Sequence, residues 1–236
     1  DELGNASVTW RLGPNGGRQT IRVSADGLNA SPFEFEAHAQ TGRPAHLVLQ
    51  NGQAASGQVN QPLATPLEVR VTDAQGNGID GATVIFELIE GTGQLSGNLV
   101  QTGNAGKASI SITFGTASGK RIVRASSPGL TGSPILFELH ALPDAPVVIQ
   151  ALERTNNQTG TAELPLNFPI SVFVKDRYGN PVPGITVPFE ITGGGGHFSN
   201  AASVEAITNE DGIAEAAWTI KDGVNKANVT KNGLNG

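Results

Sequence analysis

The sequence has no cysteine, which excludes disulfides, thiolate zinc sites and thiol nucleophiles. It has no methionine either, so we expect a mature or excised piece of a longer protein. The opening residues, DELGNAS, lack the basic and apolar regions of a secretory signal. No apolar run approaches the roughly 20 residues that a bilayer-spanning helix needs, so no membrane span is expected in this segment. Aromatic residues make up 5% of the chain and Tyr178 is the one tyrosine, too few for the row of exposed rings a carbohydrate-binding face would show. Charged residues make up 15%, and the net charge of −6 argues against a nucleic-acid partner, which needs a basic face.

What the chain does have is turn formers: 31 Gly and 14 Pro among 236 residues. Many turns joining short elements produce that mix. A hydrophobic share of 38% is too high for a disordered tail. The length suits one large domain or about two small ones.

The chain also repeats itself. RVSADGLNASPFEFEAHA (22–39) matches RASSPGLTGSPILFELHA (124–141), 102 residues later. NVTKNGLNG (228–236) matches the same segment again. GNASVTWRLG (4–13), GKASISITFG (106–115) and GIAEAAWTIKDG (212–223) form another set, and Trp10, Ile112 and Trp218 hold one position in it. DAQGNGIDGATVIFEL (73–88) returns as DRYGNPVPGITVPFEI (176–191). A unit of about 100 residues is the size of one β-sandwich domain and far longer than a solenoid repeat. We therefore expect residues 1–42 to be the C-terminal half of a repeat and 44–141 a complete one. Residues 146–236 are expected to be a repeat lacking its last strand. Short Pro-containing linkers, 40–44 and 142–146, join them.

Within each unit the apolar period is two. PLEVRVTD puts Leu67, Val69 and Val71 on one side, and PISVFVKD does the same with Ile170, Val172 and Val174. By the same parity Phe86, Phe137 and Phe189 point inward, and Trp10 and Trp218 are read as core. Pro188 falls on the outward parity, which predicts an edge strand or a bulge there. Strands every 8–12 residues between Gly, Asn, Asp and Pro predict an all-β fold of tandem antiparallel sandwiches. In the doubled stretch, Asp73 and Asp176 end a strand and can accept hydrogen bonds from turn amides. Gly76 and Gly179 are expected at positive φ. Asn77 and Asn180 complete the turn, and Gly81 and Gly184 admit the next strand. These residues are expected to be structural.

Two motif sets, VTDAQGNGIDGATVIFEL with TGNAGKASISITFG and VKDRYGNPVPGITVPFEI with TNEDGIAEAAWTIKDG, resemble the bacterial immunoglobulin-like domains of the invasin and intimin type. That family carries a D-x-x-G-N-x-V-x-G-x-x-V-x-F stretch followed by T-x-x-x-G-x-A. The first set departs at Gly78 and Asp80, where the second has Pro181 and Pro183, and a looser turn is expected there. The resemblance implies immunoglobulin-like modules in the stalk of a secreted bacterial surface protein, often an adhesin, at the cell surface or outside it. It supplies no ligand.

No constellation reads as catalytic, and no cofactor is expected. GTASGKR (115–121) fails the phosphate-loop spacing and reads as a turn. GGGGHF (193–198) reads as a lengthened glycine turn, and TNEDG (208–212) lacks the ligand pattern of a calcium loop. Calcium between repeats is a minor reading, through Asp144 with Asp73 or Asp176. His38 and His140 each share a strand face with Glu36 or Glu138, two ligands where a tight metal site needs more. Arg18, Arg22, Lys120, Arg121 and Arg124 form a modest basic stripe, expected to be balanced by Glu36 and Glu138. The expectation is a non-enzymatic stalk segment whose partners are neighbouring immunoglobulin-like repeats of the same or another chain. One alternative is a filament subunit, a homo-polymer completed by strands from other chains. Another is an accessory module of a secreted carbohydrate-active enzyme or peptidase.

Overall fold

A computed structural model describes residues 2–229. Among the described residues there are 18 strands, one 3-10 turn at Glu153–Thr155 and no α-helix. No helix is long and apolar enough to cross a membrane. The chain divides into two compact units. Unit 1 comprises Asp1–Ala55, Leu63–Thr113 and Arg121–Leu139; unit 2 comprises Ser56–Pro62, Phe114–Lys120 and His140–Gly236. Unit 2 thus takes two short segments from the middle sequence repeat.

The strands up to residue 142 are β1 (Gly17–Val23), β2 (Phe33–Ala39), β3 (His46–Asn51), β4 (Ser56–Gln58), β5 (Leu67–Thr72), β6 (Thr83–Glu90), β7 (Gly93–Leu95), β8 (Leu99–Gln101), β9 (Lys107–Ile110), β10 (Ile112–Phe114), β11 (Gly119–Ser126) and β12 (Ile135–Leu142). In unit 1, β3-β5-β9 form one sheet and β12-β11-β6-β8 the other, with β7 beside β10. The inner faces follow from the alternation: Leu67, Val69, Val71, Val84, Phe86 and Phe137 are fully buried. Burying each such side chain favours folding by about 1.5–3 kcal/mol, which is how a module without disulfides holds together. β1 and β2 pair antiparallel from Gly17↔Ala39 to Val23↔Phe33. Phe33 and Phe35 of this hairpin are 58% and 52% exposed, whereas Phe137, the counterpart of Phe35, is fully buried.

Unit 2 holds β13 (Pro146–Ala151), β14 (Ile170–Asp176), β15 (Thr186–Gly193), β16 (Ser203–Ile207), β17 (Ile213–Ala216) and β18 (Lys226–Val229). They form the sheets β13-β14-β17 and β16-β15-β18. Val174, Val187 and Phe189 are fully buried between them. Phe198 sits with its ring 6.4 Å from Phe189 and 6.1 Å from Trp218, so the aromatic content of this core is one cluster. The end of β12 pairs with β4 in parallel, His140 opposite Ser56, an exception to the antiparallel pattern made by a three-residue strand.

Three expectations change. Trp10 is half-buried rather than core, and residues 5–13 form no strand that would carry it into a sheet face. Pro188 lies on a central strand, β15, opposite Glu205 of β16. In β15 the N–H of Ile191 points toward Ala202, so odd positions donate on the β16 side and the Pro188 nitrogen faces the β18 side. The last described pair there is Phe189↔Val229, one step short of it. Arg121 is buried on the inner parity of β11 with Val123 and Ala125, and its Nε donates to the Thr92 carbonyl at 2.9 Å. Most of the NVTKNGLNG segment, residues 230–236, lies outside the described residues.

Candidate functional site

The doubled D-x-x-G-N turn is where the polar groups of each unit converge. Asp73 follows β5. Its Oδ1 accepts from the N–H of Gln75 at 2.9 Å and of Asn77 at 2.8 Å. Its Oδ2 accepts from the N–H of Gly42 and the Nδ2 of Asn77, both at 2.9 Å. Asp176, at the end of β14, repeats the set. Oδ1 accepts from Tyr178 N–H at 2.8 Å and Asn180 N–H at 2.9 Å. Oδ2 accepts from Asp144 N–H at 2.9 Å and Asn180 Nδ2 at 2.8 Å. Gly76 and Gly179 stand at φ of 86° and 87°, where a side chain would be strained. Gly42 and Asp144 are linker residues 102 apart, so each aspartate holds its own turn with one oxygen and the preceding linker with the other.

This donor set explains the electrostatics. Hydrogen bonds from the Asn77 side chain, the Gly42 amide and two turn amides outweigh desolvation and hold the Asp73 carboxyl down at about 2. At Asp176 burial pushes the pKa up, but the bonds from the Asn180 side chain and three backbone amides outweigh it, and the net shift is downward.

The asparagines reach further. Asn77 Nδ2 donates to the Pro14 carbonyl at 2.8 Å, and Asn77 Oδ1 accepts from Gly16 N–H at 3.0 Å. Asn180 Nδ2 donates to the Thr116 carbonyl and Asn180 Oδ1 accepts from Ser118 N–H, both at 2.8 Å. Pro14 and Thr116, like Gly16 and Ser118, stand 102 apart in the sequence. Each unit therefore contains the same joint: a carboxamide grips the backbone loop of the repeat that precedes it. In unit 2 the joint has more. Asn60 Nδ2 donates to the Tyr178 hydroxyl at 3.1 Å, and Arg177 pairs with Asp144 at 2.5 Å. The Arg177 guanidinium also lies 5.6 Å from the Tyr178 ring centroid. Ala74 and Gln75 occupy those positions in unit 1.

Beneath each turn a buried threonine fastens the next strand. Thr102 Oγ1 accepts from Ala82 N–H at 2.9 Å and donates to the Ile79 carbonyl at 2.5 Å. Thr208 Oγ1 accepts from Ile185 N–H at 2.9 Å and donates to the Val182 carbonyl at 2.8 Å. The glycine of T-x-x-x-G-x-A also has a reason. Gly106 and Gly212 take φ of 85° and 71°, and a Cβ would meet the carbonyl oxygens of Val71 at 2.3 Å and Val174 at 2.7 Å. Gly78 and Asp80 do not loosen the first turn. A Cβ on Gly78 would lie 1.8 Å from the Ala105 oxygen, and Asp80 Oδ1 accepts from Gly106 N–H at 2.8 Å.

The remaining candidates resolve locally. Around Asp73 and Asp176 four N–H donors occupy the carboxylate, and Asp144 is engaged by Arg177, so these residues do not fit a calcium ion. Among the described residues no group of three or more His, Asp or Glu forms a metal cluster. His38 and His140 are exposed on β2 and β12. Arg18 pairs with Glu36, and Arg124 pairs with Glu87 at 2.6 Å. GTASGKR is the loop gripped by Asn180, with no helix after it. In TNEDG, Asn209 Oδ1 caps the turn through Asp211 and Ile213 N–H at 3.0 and 2.9 Å. A cleft of about 1030 Å³ opens in unit 2, lined by Ile149, Val172, Phe189, Trp218 and Ile220. Trp218 Nε1 has no hydrogen-bond partner among the described residues.

The joint is written in backbone atoms, so sequence reading placed Asp73 and Asp176 in turns and missed what Asn77 and Asn180 hold. The available signal was the asparagine itself, repeated at the same place in both turns.

The architecture agrees with sequence comparison. The family model for the bacterial Ig-like domain (group 1) matches residues 47–135 and 155–231. The chain belongs to this family. Among curated relatives, the inverse autotransporter adhesin YeeJ of Escherichia coli strain K12 is 26% identical over 166 residues, 66% of this chain and 6% of YeeJ. The chain thus spans a small fraction of that relative's length. The solved structure of the Escherichia coli adhesin FdeC covers 93% of the chain at a TM-score of 0.52 and 16% identity, over 71% of its own length. That of Yersinia pseudotuberculosis InvD covers 92% at a TM-score of 0.49 and 15% identity, over 65% of its own length. At 16% identity the likeness to FdeC concerns the fold.

Proposed function

We propose that this chain is a non-enzymatic stalk segment of a bacterial extracellular surface protein of the adhesin type. In this reading residues 44–141 and 146–236 act as serial modules, and residues 1–42 belong to the module before them. The observation that carries it is the joint made twice with the same atoms: Asn77 on Pro14 and Gly16, Asn180 on Thr116 and Ser118. A chain that repeats its coupling chemistry with its fold is suited to setting spacing. Membership of the bacterial Ig-like family and the 26% identity to an adhesin support the setting. The Asp and Asn side chains of each doubled turn are engaged with the turn itself, the linker and the preceding loop, which is a structural use of those polar groups.

The test is excision of residues 44–141 from the surface protein that carries this segment. A spacer predicts that the shortened protein still reaches the surface and keeps its binding activity. Binding of host cells or glycans by the isolated chain itself, lost on that excision, would replace the spacer with an adhesive module.

A further inference from the structure

Both observed sockets for asparagine are the loop that follows the G-x-A sequence segment. The first is Pro14 to Gly16 and the second Thr116 to Ser118. The third repeat has the same loop. Aligning GKASISITFG with GIAEAAWTIKDG puts Asp222 and Val224 at the positions of Thr116 and Ser118. The contact uses one carbonyl and one N–H, so the side chains can differ. A Pro is tolerated at the first position, which only accepts, and the third must keep its N–H. Asp222 and Val224 satisfy both conditions.

The shape of the third loop matches as well. In the first loop the Gln19 carboxamide sits behind the backbone: Oε1 accepts from Gly13 N–H at 2.8 Å, and Nε2 donates to the carbonyls of Gly13 at 3.3 Å and Asn15 at 2.8 Å. In the third loop the Asn225 carboxamide makes the equivalent three bonds. Oδ1 accepts from Lys221 N–H at 3.3 Å, and Nδ2 donates to the carbonyls of Lys221 at 2.7 Å and Gly223 at 3.0 Å. Lys221 and Gly223 are the counterparts of Gly13 and Asn15. The carbonyls on either side of the socket are thereby engaged from behind in both loops, leaving residue 14 or 222 to offer its own. The glycine run supports the third loop from below. A Cβ on Gly194 would lie 2.2 Å from the Val224 oxygen, and one on Gly196 2.1 Å from the Thr219 oxygen. Val224 is 79% exposed.

The geometry points to residues 222–224 as a third, preformed socket. Its occupant is a further repeat bearing a D-x-x-G-N turn, whose asparagine donates to the Asp222 carbonyl and accepts from Val224 N–H. The inference rests on the stalk reading for its occupant, and its failure would leave the two observed joints intact.

The test appends the chain's own residues 31–141 after Gly236, the seam at which SPFEFEAHA follows GLNA in the first copy. Amide hydrogen exchange is then read at Val224. The proposal expects exchange there to slow on the order of tenfold relative to the unextended chain, and to return on Asn77→Ala in the appended copy alone. Folding of the appended copy is read from its own Val71 amide, which is bonded to Gly106. A folded appended copy with Val224 exchanging as before would overturn the proposal. So would protection of Val224 that survives Asn77→Ala. An appended copy that fails to protect its Val71 amide would count against the seam, and with it the proposed occupant.

Discussion

At the scale of single residues, the account rests on two carboxamides and two carboxylates. Asn180→Ala removes a donor from Thr116 and Asp176 and an acceptor from Ser118, at a site buried enough that water replaces them poorly. We expect a loss of about 1–3 kcal/mol in urea unfolding, with the Ser118 amide exchanging faster and far-ultraviolet dichroism unchanged. Thr208→Val strips one accepted and one donated bond from a buried hydroxyl, and the expected cost is also about 1–3 kcal/mol, with Thr208→Ser close to the parent. The aspartates make the chain acid-sensitive. Their folded pKa values lie below the ordinary 3.8, so the ionised form is favoured by folding. That stabilisation is complete above the ordinary value and is lost as pH falls toward the folded value, about 2 for Asp73. Urea midpoints measured from pH 5 to pH 2 should therefore drop more steeply in the parent than in the Asp73→Asn, Asp176→Asn double variant. Parallel curves would contradict this account of the turns.

At the scale of elements, identical sequence positions meet different surroundings. Phe137 is fully buried on β12, while its counterpart Phe35 on β2 is half exposed and touches Phe33 edge-on at 4.9 Å. Phe137→Ala should cost about 3–5 kcal/mol and Phe35→Ala less than about 1 kcal/mol, read from chemical denaturation. Gly212→Ala should lose at least about 1–3 kcal/mol, because the added methyl meets both a strained φ and the Val174 carbonyl. The strands were legible because burial alternates with period two: Leu67, Val69 and Val71 in one unit and Val172 and Val174 in the other follow their parity. Parity failed where it could not carry the information. It placed Pro188 outward but could not say that β15 is central, since ladder position depends on which strand lies alongside. Arg121 escaped notice for another reason: it shares the inner parity of Val123 and Ala125, but its charge breaks the apolar pattern that marks a buried face. The Asp turns were legible as local chemistry. The grip of Asn77 was not, because Pro14 and Gly16 are more than 60 residues away and are read through atoms every residue shares.

At the scale of the whole molecule, the chain is a family member whose repeats carry their own fasteners. A short Pro-containing linker restricts where a module can go, and the aspartate that holds the linker amide restricts it further. The asparagine then fixes the turn on the preceding loop. Since the chain has no cysteine, thiols placed at two exposed positions of unit 2, Gln61→Cys and Glu205→Cys, can be spin-labelled without background. The most direct measurement is the distance distribution between those labels by pulsed electron paramagnetic resonance, in the parent and with Asn180→Ala. The account predicts a narrow distribution that broadens when the asparagine is removed while the core stays folded. A distribution that is broad in the parent, or one whose width Asn180→Ala leaves unchanged, would contradict the claim that the D-x-x-G-N turn couples one repeat to the next.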